Sequence, residues 1–273
     1  GARPFPAVAG VRCRTGRGFS RASSTSVGAV LALGQAECQA RSPWARLGPH
    51  YPHPTAHPQT ASSLKRWDNE RVSALTPILS SPGWELLESL QAKQAANPIP
   101  LPELGSALRA SGLDAELVVA VLTQLALRQA ARAKFGPFAS HMVFTRDGLE
   151  QATRLVVAAR HAQRFRDCGA SRVADLGCGI GSDAMAIAGL GMNVLAVDID
   201  PDAAGAVAAN LRAFEGSEVR LGDVTDLDMG ELAAEGVDAI FADPARRTGA
   251  SRGSARITDP EQWSPPLSLA LGW

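Results

Sequence analysis

The sequence predicts an α/β fold in which a parallel sheet follows a small helical domain and an N-terminal extension. An apolar run at residues 172–176 leads into a turn that contains three glycines. Three further apolar runs, between residues 193 and 242, are each followed closely by an aspartate. Such strand-then-acid units are typical of parallel sheets whose strands alternate with helices. The predicted parts are the extension at residues 1–62, the helical domain at 63–168 and the sheet domain at 169–273.

The predicted extension is rich in arginine, serine, glycine and proline and lacks the pattern of a folded domain. Residues 1–60 contain seven arginines and one acidic residue, a net charge of +6, so the rest of this neutral chain carries −6. We expect residues 1–62 to be a disordered or non-native extension, with a targeting segment as the alternative. The mildly acidic remainder gives no overall electrostatic case for nucleic-acid binding.

The helical domain is predicted from apolar residues that recur at helical spacing. Residues 102–110 and 114–134 form two such segments, joined by Ser111 and Gly112. Two helices across a short turn can form a DNA-reading helix-turn-helix. The second segment is rich in leucine, valine and alanine and has few exposed bases, so packing is the preferred interpretation.

A further helix is predicted to begin at Asp147 and to end at Gly169, with Glu150 as the capping-box partner. Its predicted buried stripe comprises Leu149, Ala152, Val156, Ala159 and Phe165. Its C-terminal half contains four basic residues, Arg160, His161, Arg164 and Arg166. The helix dipole favours cations there, which explains them without a ligand. A basic rim for RNA is the alternative interpretation.

Cysteine usage and hydropathy indicate the cellular setting. The four cysteines, Cys13, Cys38, Cys168 and Cys178, show neither paired nor metal-type spacing, so we expect no metal site. Reduced cysteines suit the cytosol, and the cytoplasm is the predicted location. No apolar run approaches the ~20 residues needed to cross a bilayer, so no membrane partner is expected.

The glycine turn is the most informative stretch of the sheet domain. Residues 172–176 predict a buried strand and residues 182–190 predict a helix. Between them, Gly177, Gly179 and Gly181 allow a tight turn that lies against a ligand without an intruding Cβ atom. Strand, turn and helix together predict the first βα unit of a nucleotide-binding sheet, with all three glycines at the cofactor.

The spacing of the turn separates two classes of cofactor. The dinucleotide pattern G-x-G-x-x-G would place its third glycine at position 182, where this chain has Ser182. Asp175 lies two residues before the first glycine, and its carboxylate would repel a pyrophosphate but can pair with an ammonium group. The run D-x-G-x-G-x-G resembles motif I of the class I S-adenosylmethionine (SAM)-dependent methyltransferases. An NAD-dependent oxidoreductase is the disfavoured alternative.

The resemblance extends along the next strands and implies a Rossmann-like, SAM-binding sheet. Residues 193–197 predict a second strand that ends at Asp198, where a carboxylate would bind both ribose hydroxyls of SAM or of NAD. Residues 218–221 predict a third strand. The resemblance implies that Asp223, just beyond it, lies near the adenine.

The fourth predicted strand, residues 237–242, leads into Asp243-Pro244-Ala245-Arg246. Methyl transfer from a sulfonium is an in-line displacement, so the protein must position the acceptor and remove its proton. This run resembles the D/N-P-P-aromatic motif of nucleobase amino-methyltransferases, which implies that Asp243, Pro244 and Arg246 face the acceptor. Arg246 replaces the aromatic residue, and a guanidinium can stack on a base or bind a phosphate. The alternative for Asp243 is a strand-end acid that caps the next turn.

A more specific resemblance joins several runs. The helical segment, F-T-R-D-G-L-E-Q-A-T at residues 144–153, the glycine turn, D-P-A-R-R and W-S-P-P at residues 263–266 are similar to actinobacterial SAM-dependent methyltransferases with a C-terminal THUMP-like domain. The similarity covers roughly residues 75–271. Because THUMP domains are associated with RNA, the resemblance implies tRNA or rRNA as a partner and RNA modification as the role.

The sequence predicts four strands, fewer than a complete sheet of this class contains. We therefore expect a C-terminally truncated sheet whose fourth strand lies at an exposed edge. The predicted function is methyl transfer from SAM to an acceptor, with a nucleobase in RNA favoured. The alternatives are a small-molecule methyltransferase and a non-catalytic fragment that binds SAM or RNA.

Overall fold

The computed structural model describes residues 12–15, 18–21, 74–245 and 257–273. Six strands are described: β1 (Arg12–Thr15), β2 (Gly18–Arg21), β3 (Arg172–Leu176), β4 (Asn193–Asp198), β5 (Ser217–Leu221) and β6 (Ala239–Ala242). They form one sheet in the order β2-β1-β6-β3-β4-β5. The four strands from β6 to β5 are parallel, which confirms the predicted Rossmann-like α/β sheet.

The described residues also form ten α-helices. They are α1 (Thr76–Leu79), α2 (Ser81–Ala96), α3 (Leu101–Ala110), α4 (Ala115–Phe135), α5 (Arg146–Gln151), α6 (Leu155–Asp167), α7 (Ser182–Gly189), α8 (Pro201–Leu211), α9 (Met229–Ala234) and α10 (Leu267–Gly272). None of the described helices is long and apolar enough to cross a membrane.

Alternation along β3 assigns its side chains to two separate cores. Val173 belongs to the larger core, which the helical part of the chain shares with α7 and α8. Ala174 and Leu176 belong to a smaller core on the opposite face. Asp175 lies on the Val173 face because side chains alternate, and its register partners are Ala196 on β4 and Phe241 on β6. A strand buried on both faces reads as a near-continuous apolar run, which is why β3 is recognisable from sequence.

The helix predicted from Asp147 to Gly169 is wrong as a single element, because the chain breaks between α5 and α6. Ala152 and Arg154 take extended backbone conformations. The Lys134 Nζ atom donates to carbonyl oxygens at the end of α5, at 2.6 Å for Leu149 and 3.0 Å for Ala152. The ammonium donates hydrogen bonds to carbonyl oxygens that would accept from backbone N–H groups if the helix continued.

The break also changes which side chains after it face the core. Val156, predicted to be buried, is 62% exposed. The side chains of α6 that face the core are instead Ala158, Ala162 and Phe165. A stripe drawn through 147–165 at one helical period cannot follow two separate helices.

Asn210 connects the helical part of the chain to the sheet domain through hydrogen bonds. Its buried Nδ2 donates to the carbonyl oxygens of Val143 at 3.0 Å and Ile180 at 2.9 Å, and its Oδ1 accepts from the Val143 N–H at 2.7 Å. These bonds join α8, the segment before α5 and the glycine turn. Trp84 of α2 adds a second link, because the guanidinium of Arg212 lies 3.6 Å from its ring centroid.

The fourth strand of the parallel series is not at an edge. β1 pairs antiparallel with β6, with Cys13 opposite Ala239, and β2 pairs with β1. The expectation of an exposed fourth strand is therefore wrong for the described sheet, whose edges are β2 and β5. Both added strands come from the stretch predicted as an extension, which is low in apolar content and gave no strand signal. The rest of residues 1–62 lies outside the described residues.

Candidate functional site

The glycine turn connects β3 to α7 and has a left-handed backbone at each glycine. The φ angles are 81° at Gly177, 56° at Gly179 and 83° at Gly181. A Cβ atom on either of the first two would meet nothing within 4 Å. A Cβ atom on Gly181 would lie 2.4 Å from Cγ2 of Val207 on α8. The first two glycines thus border open space, whereas the third is required for close helix packing.

Asp198 ends β4 and is bound to the glycine turn. Its Oδ2 accepts from the Gly179 N–H at 2.7 Å, and its Oδ1 accepts from the Asp200 N–H at 2.9 Å. Burial raises the pKa of Asp198, and these two backbone N–H groups partly offset that effect. Each carboxylate oxygen keeps a further lone pair, so the group can still accept bonds from two hydroxyls.

Asp175 is the acid of the site whose pKa is raised furthest. Its side chain is buried on β3, one residue before that strand ends at Leu176. Burial, and then the carboxylates of Asp183 and Asp198, raise the pKa of Asp175 well above its usual range. Its Oδ2 has no hydrogen-bond partner among the described residues. A buried carboxyl oxygen without a hydrogen-bond partner fits a cationic ligand group.

Asp243 belongs to the same group of acids, since its charge also raises the pKa of Asp175. It follows β6, so the predicted acceptor residue lies at the carboxyl edge of the sheet, beside the glycine turn. Pro244 is buried directly after it. Arg246 lies outside the described residues, and its predicted role is untested.

The two C-terminal motifs singled out in the sequence meet in space. The Ala245 N–H donates to the Ser264 carbonyl at 2.8 Å, and the Ser264 N–H donates to the Ala245 carbonyl at 3.2 Å. The D-P-A run is therefore paired with the W-S-P-P run. This pairing anchors the backbone directly after Asp243.

Asp223 lies at the end of β5 and caps the turn that follows. Its Oδ1 accepts from the backbone N–H and the hydroxyl of Thr225, both at 2.8 Å, and these bonds lower its pKa. The backbone N–H of Gly222 donates to the Asp198 carbonyl at 2.9 Å, which ties the ends of β4 and β5 together. The position suits a contact with a base, and that contact stays a prediction.

Sequence reasoning missed one pair in this region. His161 of α6 and Asp183 of α7 form a bond of 2.8 Å between Nδ1 and Oδ1. The imidazole also packs against Phe241, with ring centroids 5.3 Å apart. His161 had been assigned to the helix dipole with its basic neighbours. The available signal was Asp183 in the first turn after the glycines, an acid that had been given no role.

The site contains no metal-type cluster within the residues that the structure describes, where no three His, Cys, Asp or Glu side chains are grouped to hold an ion. The acids around Asp175 are instead spread over β3, β4, α7 and the end of β6.

Comparison with known proteins gives family matches to two parts of the chain. Residues 137–257 match the family model of the methyltransferase small domain, and residues 71–131 match a domain of unknown function, DUF8688. No curated protein matches. Among solved structures, a candidate methyltransferase from Porphyromonas gingivalis W83 is 26% identical over 49% of this chain and 34% of its own, with a TM-score of 0.43.

A candidate RNA methyltransferase from Pyrococcus horikoshii is 28% identical over 38% of this chain and 52% of its own, with a TM-score of 0.29. The chain thus spans about a third and about half of the lengths of these two proteins. The family match to residues 137–257 supports the SAM-dependent methyltransferase that the glycine turn predicted. The resemblance to THUMP-bearing proteins remains a prediction.

Proposed function

We propose that this protein transfers a methyl group from SAM to an acceptor bound beside Asp243, and that the acceptor is a nucleobase in RNA. The observation that carries the proposal is the buried, unpartnered carboxyl oxygen of Asp175 below two glycines that border open space. Asp198 lies against the same turn with accepting capacity to spare. The methyltransferase match covers all of these residues.

Different residues are proposed to bind different parts of the cofactor. Asp175 would accept a hydrogen bond from the ammonium of the methionine part, and Asp198 would accept from the ribose hydroxyls. Gly177 and Gly179 would let the backbone lie close to the ligand. SAM supplies an electrophilic methyl group on a positively charged sulfur.

Charge makes the site selective between substrate and product. Asp183, Asp198 and Asp243 surround Asp175, and all three raise its pKa. Loss of the methyl group converts a cationic sulfonium into a neutral thioether, so the acids attract the product less than the substrate. We expect this difference to weaken S-adenosylhomocysteine binding relative to SAM and to favour product release.

Asp243 is the residue proposed to orient the acceptor. It lies past β6 at the edge where the strands of an open α/β sheet present their ligands. A carboxylate can accept a hydrogen bond from an exocyclic amine and so orient its lone pair toward the methyl group. Arg246, three residues on, is proposed to stack on the base or to bind a phosphate.

RNA is favoured over a small molecule by the surface next to the site. Helix α6 presents the exposed side chains of Arg160, Arg164 and Arg166 on its outer side. These guanidiniums lie on the same helix as His161, which contacts the acid group through Asp183. Arginines at such a position can bind the backbone phosphates of a nucleic acid and hold it at the site.

The test begins with calorimetric titration of the full chain with SAM, S-adenosylhomocysteine and NAD. We expect binding of the two sulfur nucleosides only, with SAM tighter. Asp198→Ala should weaken SAM by about 100-fold, because removing bonds to a charged group costs about 3 kcal/mol. Asp226→Asn, at an exposed acid beyond β5, is the matched control and should leave the affinity unchanged. NAD binding by the wild type would contradict the cofactor assignment.

Transfer is then measured with labelled SAM and unmodified total RNA. We expect label in the RNA, sensitive to ribonuclease and lost in Asp243→Ala. A wild-type protein that binds SAM but labels only low-molecular-weight extract would replace RNA with a small-molecule acceptor. A protein that binds SAM and labels neither would support the non-catalytic alternative.

A further inference from the structure

The pair formed by His161 and Asp183 has no role in the function proposed so far. Asp183 stands in the first turn of α7, directly after the glycine turn, and its side chain is 8% exposed. His161 reaches it from α6 and is 18% exposed. A largely buried polar pair of this kind can serve only to hold two helices together. Three observations indicate that this pair also has a role in the proposed reaction.

The first observation is where the imidazole lies. Its ring packs on Phe241, which is the register partner of Asp175 on the adjacent strand. Phe241 lies on β6, two residues before Asp243. The imidazole therefore packs on the strand that leads to the residue proposed to hold the acceptor, beside the register partner of the residue proposed to hold the cofactor's ammonium.

The second observation is how the ring is held. The 2.8 Å bond uses Nδ1, so the carboxylate of Asp183 fixes a proton on that nitrogen. Nε2, on the other edge of the ring, then carries a lone pair. It has no hydrogen-bond partner among the described residues. An acid that orients a histidine through Nδ1 leaves Nε2 ready to accept a proton, as in hydrolytic triads.

The third observation is the charge around the ring. The charged groups on the elements packed against it are Asp183 on α7, Asp175 on β3 and Asp243 beyond β6, and its own helix adds Arg160 and Arg164. Asp183 acts on Asp175 strongly enough to raise the pKa of that carboxyl. The pair is thus electrically part of the cofactor site.

We propose that His161, oriented by Asp183, accepts the proton that the acceptor loses during methyl transfer. This inference rests on the function proposed above. In the step, a bond forms between the acceptor nitrogen or oxygen and the methyl carbon, and the bond from that carbon to sulfur breaks. The electron pair of the broken bond goes to sulfur. The acceptor's proton goes to Nε2 of His161 and is later released to water.

The central test is the rate of methyl transfer in a single turnover, measured against pH with saturating SAM. His161→Gln should lower the rate by roughly 100-fold or more, as expected for loss of a general base. The wild-type rate should depend on pH as expected for a step that needs a basic group, and this dependence should be absent in the variant. His141→Gln, at a histidine that lies against Glu88 and not against Asp183, is the matched control.

A purely structural pair would give a different result. In that case His161→Gln would lower the melting temperature and weaken SAM binding, with a rate at saturating SAM close to that of the wild type. We expect the dissociation constant for SAM to change less than about threefold. An equal pH profile in variant and wild type would overturn the proposal while leaving the methyltransferase function intact.

A spectroscopic measurement tests the pair without any acceptor. In 15N-labelled protein, the His161 signals, assigned by their loss in His161→Gln, should show the tautomer with its proton on Nδ1. Asp183→Asn should change that tautomer, and S-adenosylhomocysteine should shift the same signals. A proton on Nε2 in the wild type, or no response to the ligand, would overturn the inference even if no acceptor is found.

Discussion

Replacement of Gly181 by alanine separates the structural requirement of the glycine turn from its ligand-binding requirement. Gly181 has a φ of 83°, a left-handed conformation that costs an alanine about 1–2 kcal/mol. Its new methyl group would also lie 2.4 Å from Cγ2 of Val207. Overpacking of this kind typically costs about 1–3 kcal/mol. We therefore expect Gly181→Ala to lower the free energy of unfolding by about 2–5 kcal/mol.

Gly179→Ala is the matched control because it shares the strain and lacks the collision. Gly179 has a φ of 56°, and a Cβ atom there meets nothing within 4 Å. We expect this variant to lose only about 1–2 kcal/mol of stability. Its methyl group would enter the space proposed for SAM, so its affinity for SAM should fall despite the milder loss of stability.

The collision itself is measured by a double-mutant cycle with Val207→Ala, followed by urea denaturation monitored by circular dichroism. Val207→Ala alone leaves a cavity and destabilises the protein. In the Gly181→Ala background the missing methyl groups remove the 2.4 Å contact and leave Cβ of residue 207 at 3.1 Å, so the double variant should be more stable than the sum of the single effects by about 1–3 kcal/mol. Additive single effects, or equal losses for Gly181→Ala and Gly179→Ala, would refute the reasoning.

Two further substitutions test the raised pKa of Asp175 and the hydrogen bonds by which Asn210 joins the helical part of the chain to the sheet domain. Burial raises the pKa of Asp175, so the native state binds more protons than the unfolded state from about pH 4 up to that raised value, and stability should fall as the pH rises through this window. In denaturation experiments at a series of pH values, Asp175→Asn should remove this dependence of the free energy of unfolding on pH. The affinity for SAM should rise with pH in the wild type, and in the variant it should be weak and independent of pH. Asn210→Ala removes three buried hydrogen bonds and should cost about 2–4 kcal/mol in thermal unfolding, whereas Gln163→Ala, at an exposed pair with Asp167, should cost less than about 0.5 kcal/mol.

The parallel strands were predictable because their sequence signal is local. β3 and β4 are apolar on both faces, so each reads as a short apolar run closed by a glycine or an acid. The left-handed turn at Gly177 follows from glycine's freedom at positive φ. Strand β6 begins at Ala239, two residues later than predicted, because the Val237 N–H bonds to the Leu232 carbonyl and still closes α9.

The features that were missed depend on residues far apart in sequence. The bond between His161 and Asp183 spans a helix end, a strand and a turn, and neither residue belongs to a motif that names its partner. The break between α5 and α6 depends on Lys134, which donates from the neighbouring helix α4. Hydrophobic periodicity records which face of an element is buried, but it does not record a side chain from another element that ends it.

The arrangement of the acids explains why the helical part and the sheet domain need each other. Asp175 and Asp198 come from β3 and β4, but His161, which bonds to Asp183, is on helix α6, which precedes β3 in the chain. Asn210 holds the start of that helical connection against the glycine turn through bonds to Val143 and Ile180. A shift of α6 would therefore move the proton acceptor relative to the cofactor. Catalysis that depends on placing a base within hydrogen-bond reach of an acceptor is sensitive to such a shift, so we infer that the helical part is a component of the active site.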